Sequence, residues 1–82
     1  MNHWVILSKP MCPWCDRAKD LLSEKASGYS ELDITKNTHL KLFLAECGLK
    51  TVPQVYFNGD RIGGYDALVA FFEQDNDEHS TY

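Results

Sequence analysis

Apolar side chains fall into short blocks whose spacing switches between strand-like and helix-like periods. Trp4-Val5-Ile6-Leu7 is a continuous apolar run of strand length, and the stretch from Arg17 to Lys25 after it reads as a helix. Within Tyr29–Ile34, Leu32 and Ile34 lie two apart, as on one face of a strand, so the first part of the chain predicts a β-α-β unit. Leu40, Phe43, Leu44 and Cys47 then follow the i, i+3, i+4, i+7 spacing of a helical stripe. Thr38 is the expected N-cap of that helix, Gly48 its C-terminal stop, and Cys47 a buried small hydrophobe on the stripe. After Pro53, Val55-Tyr56-Phe57 and Arg61-Ile62 flank Asn58-Gly59-Asp60, whose Asn-Gly step signals a tight antiparallel hairpin. Gly63-Gly64 ends the hairpin and Asp66 is the expected cap of a third helix, with Leu68, Val69, Phe71 and Phe72 on its buried side. The polar, acidic tail from Gln74 to Tyr82 is expected to fray.

The predicted order is β-α-β-α-β-β-α. It fits an α/β fold in which a four-stranded mixed sheet packs between three helices, with parallel pairing around the first crossover and an antiparallel hairpin at the end. At 82 residues, 44% of them hydrophobic, the chain supports one compact domain over 1–82 and therefore one principal site.

The net charge of −4, with eight Lys and Arg scattered along the chain, argues against nucleic acid or an anionic membrane as the main partner. Small molecules and other proteins fit better. The segment Met1-Asn2-His3-Trp4 does not open like a secretory signal, and no run approaches the roughly 20 apolar residues of a spanning helix, so a cytoplasmic location is expected, with a monomer as the default state. Three cysteines are too few for a secreted disulfide framework; in a reducing compartment, a CxxC beside a βα pattern reads as redox-active or metal-binding. His3, His39 and His79 do not stand at a spacing that completes a tetrahedral zinc set with the pair, and no metal site is expected.

That pair, Cys12-Pro13-Trp14-Cys15, sits where the first strand gives way to the first helix. Free backbone N–H groups at a helix N-terminus favour a negative thiolate, so an exposed Cys12 is the expected nucleophile and Cys15, one turn further in, the resolving thiol. An ordinary cysteine, with a pKa of about 8.5, is only a few per cent thiolate near neutral pH, whereas such sites fall to about 3.5–7.5. Pro13 at the first helical position has no N–H to leave unsatisfied and pre-sets φ. Lys9 can add positive charge, and Trp14 can stack beside the sulfur.

With these motifs the chain resembles the glutaredoxins, in particular the small dithiol members of bacteria and their phages. The resemblance rests on Lys9, Cys12-Pro13-Trp14-Cys15, Arg17-Ala18-Lys19, Leu21-Leu22, Thr51-Val52-Pro53-Gln54 and Ile62-Gly63-Gly64-Tyr65-Asp66, in that order and spacing. It implies a thioredoxin-like fold and electron exchange between glutathione and protein disulfides or glutathione mixed disulfides, with glutathione as co-substrate and no tightly bound cofactor. It also implies a cis Val52-Pro53 bond, a backbone pair between Val52 and glutathione, and γ-glutamyl binding by Gly63-Gly64-Tyr65-Asp66. The glutathione site implied is Lys9, Trp14, Thr51, Val52, Pro53, Gly64, Tyr65 and Asp66.

The sequence departs from the family pattern in three places. Trp14 stands where tyrosine is commoner, Tyr65 where cysteine or serine is frequent, and Leu40 near a polar or basic contact to the glycyl carboxylate, leaving Lys41 or His39 as substitutes. Ribonucleotide reductase is one expected protein substrate. The rival readings are a redoxin of the same fold recharged by a thioredoxin-reductase-type flavoenzyme, and an iron–sulfur-binding module, which Pro13 disfavours.

Overall fold

The computed structural model describes residues 2–81, with side chains described up to Gln74. The first apolar run forms β1 (Trp4–Ser8) and is followed by α1 (Pro13–Lys25), β2 (Ser30–Asp33), α2 (Thr38–Glu46), β3 (Gln54–Phe57), β4 (Asp60–Gly63) and α3 (Tyr65–Thr81). The sheet order is β2-β1-β3-β4, with β1 parallel to β2 and antiparallel to β3, and β3 antiparallel to β4. The predicted mixed sheet is therefore present, and its most apolar strand, β1, takes an interior position where both faces are covered.

Alternation along β1 divides the side chains between the two faces. Trp4 and Ile6, with Val55 from β3, join Ala18 and Leu22 of α1 and Leu68 of α3 in one buried cluster. Ile6, Leu22, Val55 and Leu68 are fully enclosed, each such side chain contributing about 1.5–3 kcal/mol of transfer free energy. Tyr56, the next residue along β3, faces the other way and meets Phe43 of α2 with ring centroids 6.3 Å apart. The β3–β4 turn is two residues long, Asn58 and Gly59, both at positive φ (52° and 89°), as an Asn-Gly hairpin requires. Asn58 ties this turn to the start of β1: its N–H donates to the His3 carbonyl at 2.8 Å, and its side-chain Oδ1 accepts the His3 N–H at 2.7 Å.

Several local expectations are corrected. Ile34 lies not on a strand but in a short 3-10 turn, Ile34–Lys36, and Leu32 is 41% exposed on an edge strand. Asn37 rather than Thr38 caps α2, its side chain accepting the His39 N–H at 2.9 Å. Gly48 does end that helix, at φ +72°. Of the α2 stripe only Leu44 is buried; Phe43 is 43% exposed, and Cys47 is an exposed free thiol at the C-cap. A nine-residue helix lying over the sheet covers little area, so a stripe at the correct period need not be wholly enclosed. α3 begins at Tyr65, placing Asp66 inside the first turn, while the Gly64 carbonyl accepts the first helical bond from Leu68 at 3.0 Å. The helix continues to Thr81, beyond the start of the tail expected to fray.

One polar cluster links β1, α1 and β2. The buried Ser8 hydroxyl donates to Glu31 Oε2 at 2.8 Å, and Lys19 Nζ donates to the same oxygen at 3.0 Å. The Ser8 bond first, and Lys19 second, hold the Glu31 carboxyl below its ordinary range; the bond to Glu31 raises the Lys19 pKa. A depressed carboxylate stabilises the fold above its unfolded pKa and loses that contribution as pH falls through the folded value. The raised lysine stabilises below its unfolded pKa and loses its contribution as pH rises through the folded value. Both act fully between about pH 5 and 10. Because the Glu31 side chain is 41% exposed, its contribution is below about 1 kcal/mol. Urea midpoints of Glu31→Gln and wild type should accordingly differ modestly at pH 7 and converge by pH 3. A gap that persists at pH 3 would assign the cluster to packing rather than charge.

Candidate active site

Cys12 occupies the N-cap of α1 in extended conformation (φ −122°, ψ 98°), with Pro13 at the first helical position. Its carbonyl accepts the first helical bond from the Asp16 N–H at 3.0 Å. Its Sγ accepts the Cys15 N–H at 3.2 Å, the place usually taken by a Ser or Asp oxygen in a helix cap. Pro13 lacks an N–H, so the donors of the first turn aimed at this region come from Trp14 and Cys15. Negative charge on Cys12 sulfur therefore meets both a direct donor and the positive end of the helix.

Cys12 and Cys15 are joined as a disulfide, with Cα atoms 5.2 Å apart. Cys12 is less open than predicted, at 7% exposure, but Cys15 is fully buried, which preserves the expected asymmetry. An incoming disulfide can reach Cys12 alone. The preceding residue, Met11, holds a left-handed backbone (φ +56°) and projects its side chain almost completely into solvent.

The connection from α2 to β3 returns to this corner. Val52-Pro53 is cis, and the Val52 carbonyl oxygen lies 3.8 Å from Cys12 Sγ. Thr51, Val52, Pro53, Trp14, Gly64, Tyr65 and Asp66 together line a cavity of about 300 Å³. Trp14 and Tyr65 stand within it as neighbours, ring centroids 5.5 Å apart, and the Arg17 guanidinium lies 4.6 Å from the Trp14 ring centre. The aromatic position between the cysteines is thus a cavity wall rather than core. Lys9 lies elsewhere, in an adjoining cavity that shares Thr51 and Val52.

Residues 4–62 match the family profile described as Glutaredoxin. The chain belongs to the glutaredoxin family. Its relatives include Glutaredoxin 3 of Escherichia coli strain K12, 41% identical over 71 residues, covering 85% of this chain and 86% of the relative. Hybrid peroxiredoxin hyPrx5 of Haemophilus influenzae is 39% identical over 67 residues, and there the match covers 82% of this chain but only 28% of the relative. Among solved structures, the holo form of glutaredoxin C1 from Populus tremula x tremuloides superposes with a TM-score of 0.76 at 32% identity, over 87% of this chain and 74% of that one. A buckwheat glutaredoxin–glutathione complex gives 0.77 at 27% identity, over 90% of this chain and 71% of that one. The fold is therefore thioredoxin-like, and Cys12 and Cys15 form the redox-active dithiol pair of a glutaredoxin.

One residue of this glutaredoxin escaped the sequence reading. Gln54, the last residue of the Thr51-Val52-Pro53-Gln54 motif, is 4% exposed and braces the loop that carries Val52. Its Nε2 donates to the Thr51 carbonyl at 3.0 Å, while its Oε1 accepts from Arg61 Nη1 at 3.2 Å. A glutamine beside a proline at a strand start was the available signal. Gly63, at φ +128°, lets β4 turn into α3 where a Cβ would meet Ala67 Cβ at 2.9 Å. Among the described residues, no group of three or more His, Cys, Asp or Glu could hold a metal ion, and no helix is long and apolar enough to cross a membrane.

Proposed function

We propose that this glutaredoxin is a glutathione-dependent thiol-disulfide oxidoreductase in which Cys12 is the nucleophile and Cys15 the resolving thiol. The observation that carries the reading is the meeting of Cys12 Sγ, at a helix N-terminus, with the Val52 edge of the cavity that also holds Trp14, Tyr65 and Asp66. The buckwheat relative complexed with glutathione supports the choice of ligand.

In this reading the cysteinyl backbone of glutathione pairs antiparallel with Val52. Its γ-glutamyl carboxylate meets the N–H groups at the start of α3, its ammonium meets Asp66, and Lys9 takes the glycyl carboxylate. Thr51, Pro53 and Gly64 shape the cavity, and Trp14 and Tyr65 flank the bound tripeptide. The Cys12 thiolate attacks the glutathionyl sulfur of a mixed disulfide and the substrate thiolate leaves with a proton. A second glutathione thiolate then attacks that sulfur, giving oxidised glutathione and the Cys12 thiolate. With a protein disulfide, Cys15 instead attacks the Cys12 mixed disulfide, releasing a reduced substrate and leaving the Cys12–Cys15 disulfide for two glutathiones to reduce. Ribonucleotide reductase is one protein this route would recharge, and a reducing compartment such as the cytoplasm suits the cycle.

The test is reduction of a glutathione mixed disulfide by the purified chain, with NADPH consumption followed through glutathione reductase. Robust turnover is expected; absence of turnover, with disulfide reduction driven by thioredoxin reductase instead, would replace this reading with the flavoenzyme-coupled redoxin. Asp66→Asn should raise the KM for glutathione about tenfold while changing kcat little, since it removes a charge-assisted bond made before and during reaction alike. An unchanged KM would move the ammonium elsewhere.

A further inference from the structure

The cavity next to the glutathione position has a volume of about 580 Å³ and shares only Thr51 and Val52 with it. Three of the eight basic side chains of this acidic chain, Lys9, Lys41 and Lys50, line it, and no Asp or Glu does. Among the described residues none of the three is ion-paired; the only lysine so engaged is Lys19. Ile34, Leu44 and Leu49 supply apolar walls. In the reading above, glutathione brings one carboxylate here, to Lys9. Lys41, one of the two substitutes expected for that carboxylate, lines the same cavity as Lys9, whereas Lys50 and the apolar walls are left without a ligand.

We propose that this cavity docks an acidic stretch, carrying one aliphatic side chain, beside the attacked cysteine of a protein disulfide substrate. The proposal rests on the reductase reading and names the partner chemistry of the same site. Charge complementarity selects the occupant: unpaired ammonium groups at the rim with apolar walls between them attract carboxylates and accept a methyl-bearing side chain. Reach agrees, because Val52 lines the cavity and its carbonyl oxygen is 3.8 Å from Cys12 Sγ. At about 3.3–3.6 Å per extended residue, a substrate chain joined at that sulfur reaches the lysines within a few residues.

The decisive experiment uses pre-reduced full-length protein without glutathione and two symmetric peptide disulfides of equal apolar content. One peptide carries three glutamates around its cysteine and a leucine, the other three lysines and the same leucine. Each encounter oxidises the Cys12/Cys15 dithiol to its disulfide and reduces one peptide disulfide to two thiols, counted by chromatography. Dividing each rate by that of the same disulfide with free dithiothreitol removes the intrinsic effect of the flanking charges on the leaving thiol. The corrected rate should favour the acidic peptide about tenfold at low salt and lose most of that preference at high salt. Lys50→Glu should abolish the preference while leaving reduction of bis(2-hydroxyethyl) disulfide unchanged. Lys25→Glu, the same charge change at the far end of α1, a helix about 20 Å long, should leave the preference intact. Equal corrected rates for the two peptides, or equal loss in both variants, would overturn the docking proposal alone. Failure to reduce either peptide would overturn the reductase reading and this proposal with it.

Discussion

Cys12→Ser should lower turnover of a glutathione mixed disulfide by at least about a thousandfold, whereas Cys15→Ser should retain most of it. A serine hydroxyl stays protonated near neutral pH and its oxygen cannot form the mixed disulfide, so no detour remains once the reachable sulfur is gone. Cys15 differs because it contributes to Cys12 through its backbone: the N–H that meets Cys12 Sγ at 3.2 Å survives substitution by serine. The thiolate is still favoured, and glutathione can resolve the intermediate from solution. Reduction of a protein disulfide should separate the two routes. There Cys15→Ser should stall as a covalent Cys12–substrate adduct, visible by mass spectrometry. Loss of both activities in Cys15→Ser would show that the second sulfur does more than resolve, and activity surviving in Cys12→Ser would refute the assignment of the nucleophile.

The largest stability effect should come from Trp4→Ala, at about 3–5 kcal/mol, as for other large aromatic truncations in a core. Trp4 is 6% exposed and sits at the centre of a ring cluster. Its centroid is 4.4 Å from Phe57, its cross-strand partner, 5.4 Å from Phe71 and 5.3 Å from Phe72. Removing it opens a cavity that three rings border and that neither β3 nor α3 can fill without moving. Against a typical total of 5–15 kcal/mol, a loss of that size removes a large part of the margin of so small a chain. Chemical denaturation followed by circular dichroism should show the shift in midpoint with little change in slope. A loss below about 1 kcal/mol would mean that the rings close over the gap.

Much of this arrangement was legible from residue patterns. The run Trp4–Leu7, the Asn58-Gly59 step and the apolar set Leu68, Phe71 and Phe72 each predicted an element that forms, because each acts through local backbone preference or a strong period. Placement of Cys12 and Cys15 at the first turn of α1 followed from the same reading. What depended on contact with distant chain was less accessible. The α2 stripe has the correct spacing, but which of its members are enclosed depends on contacts the period does not encode: α2 meets β3 through Phe43 and Tyr56, while Cys47 at its C-cap is exposed. Asn37 displaced Thr38 as cap because both can accept an N–H and only the path of the preceding 3-10 turn decides between them. The cis Val52-Pro53 bond and its approach to Cys12 came from family resemblance, since residues 40 apart carry no common local signal. The role of Gln54 was hidden for the same reason.

The cysteine pair also bears on how electron carriage relates to folding. A cross-link stabilises a protein mainly by shrinking the conformational space of the unfolded chain, by about 3 kcal/mol for a 15-residue loop and more for longer ones. Here the bridge spans a sequence separation of three, and the same relation still assigns so short a loop about 2 kcal/mol. Against a typical total of about 5–15 kcal/mol, opening the bridge should therefore shift the folding equilibrium more than about tenfold toward the unfolded chain. The dithiol form should accordingly melt below the disulfide form, so that the redox state of the pair is written into the stability of the whole fold.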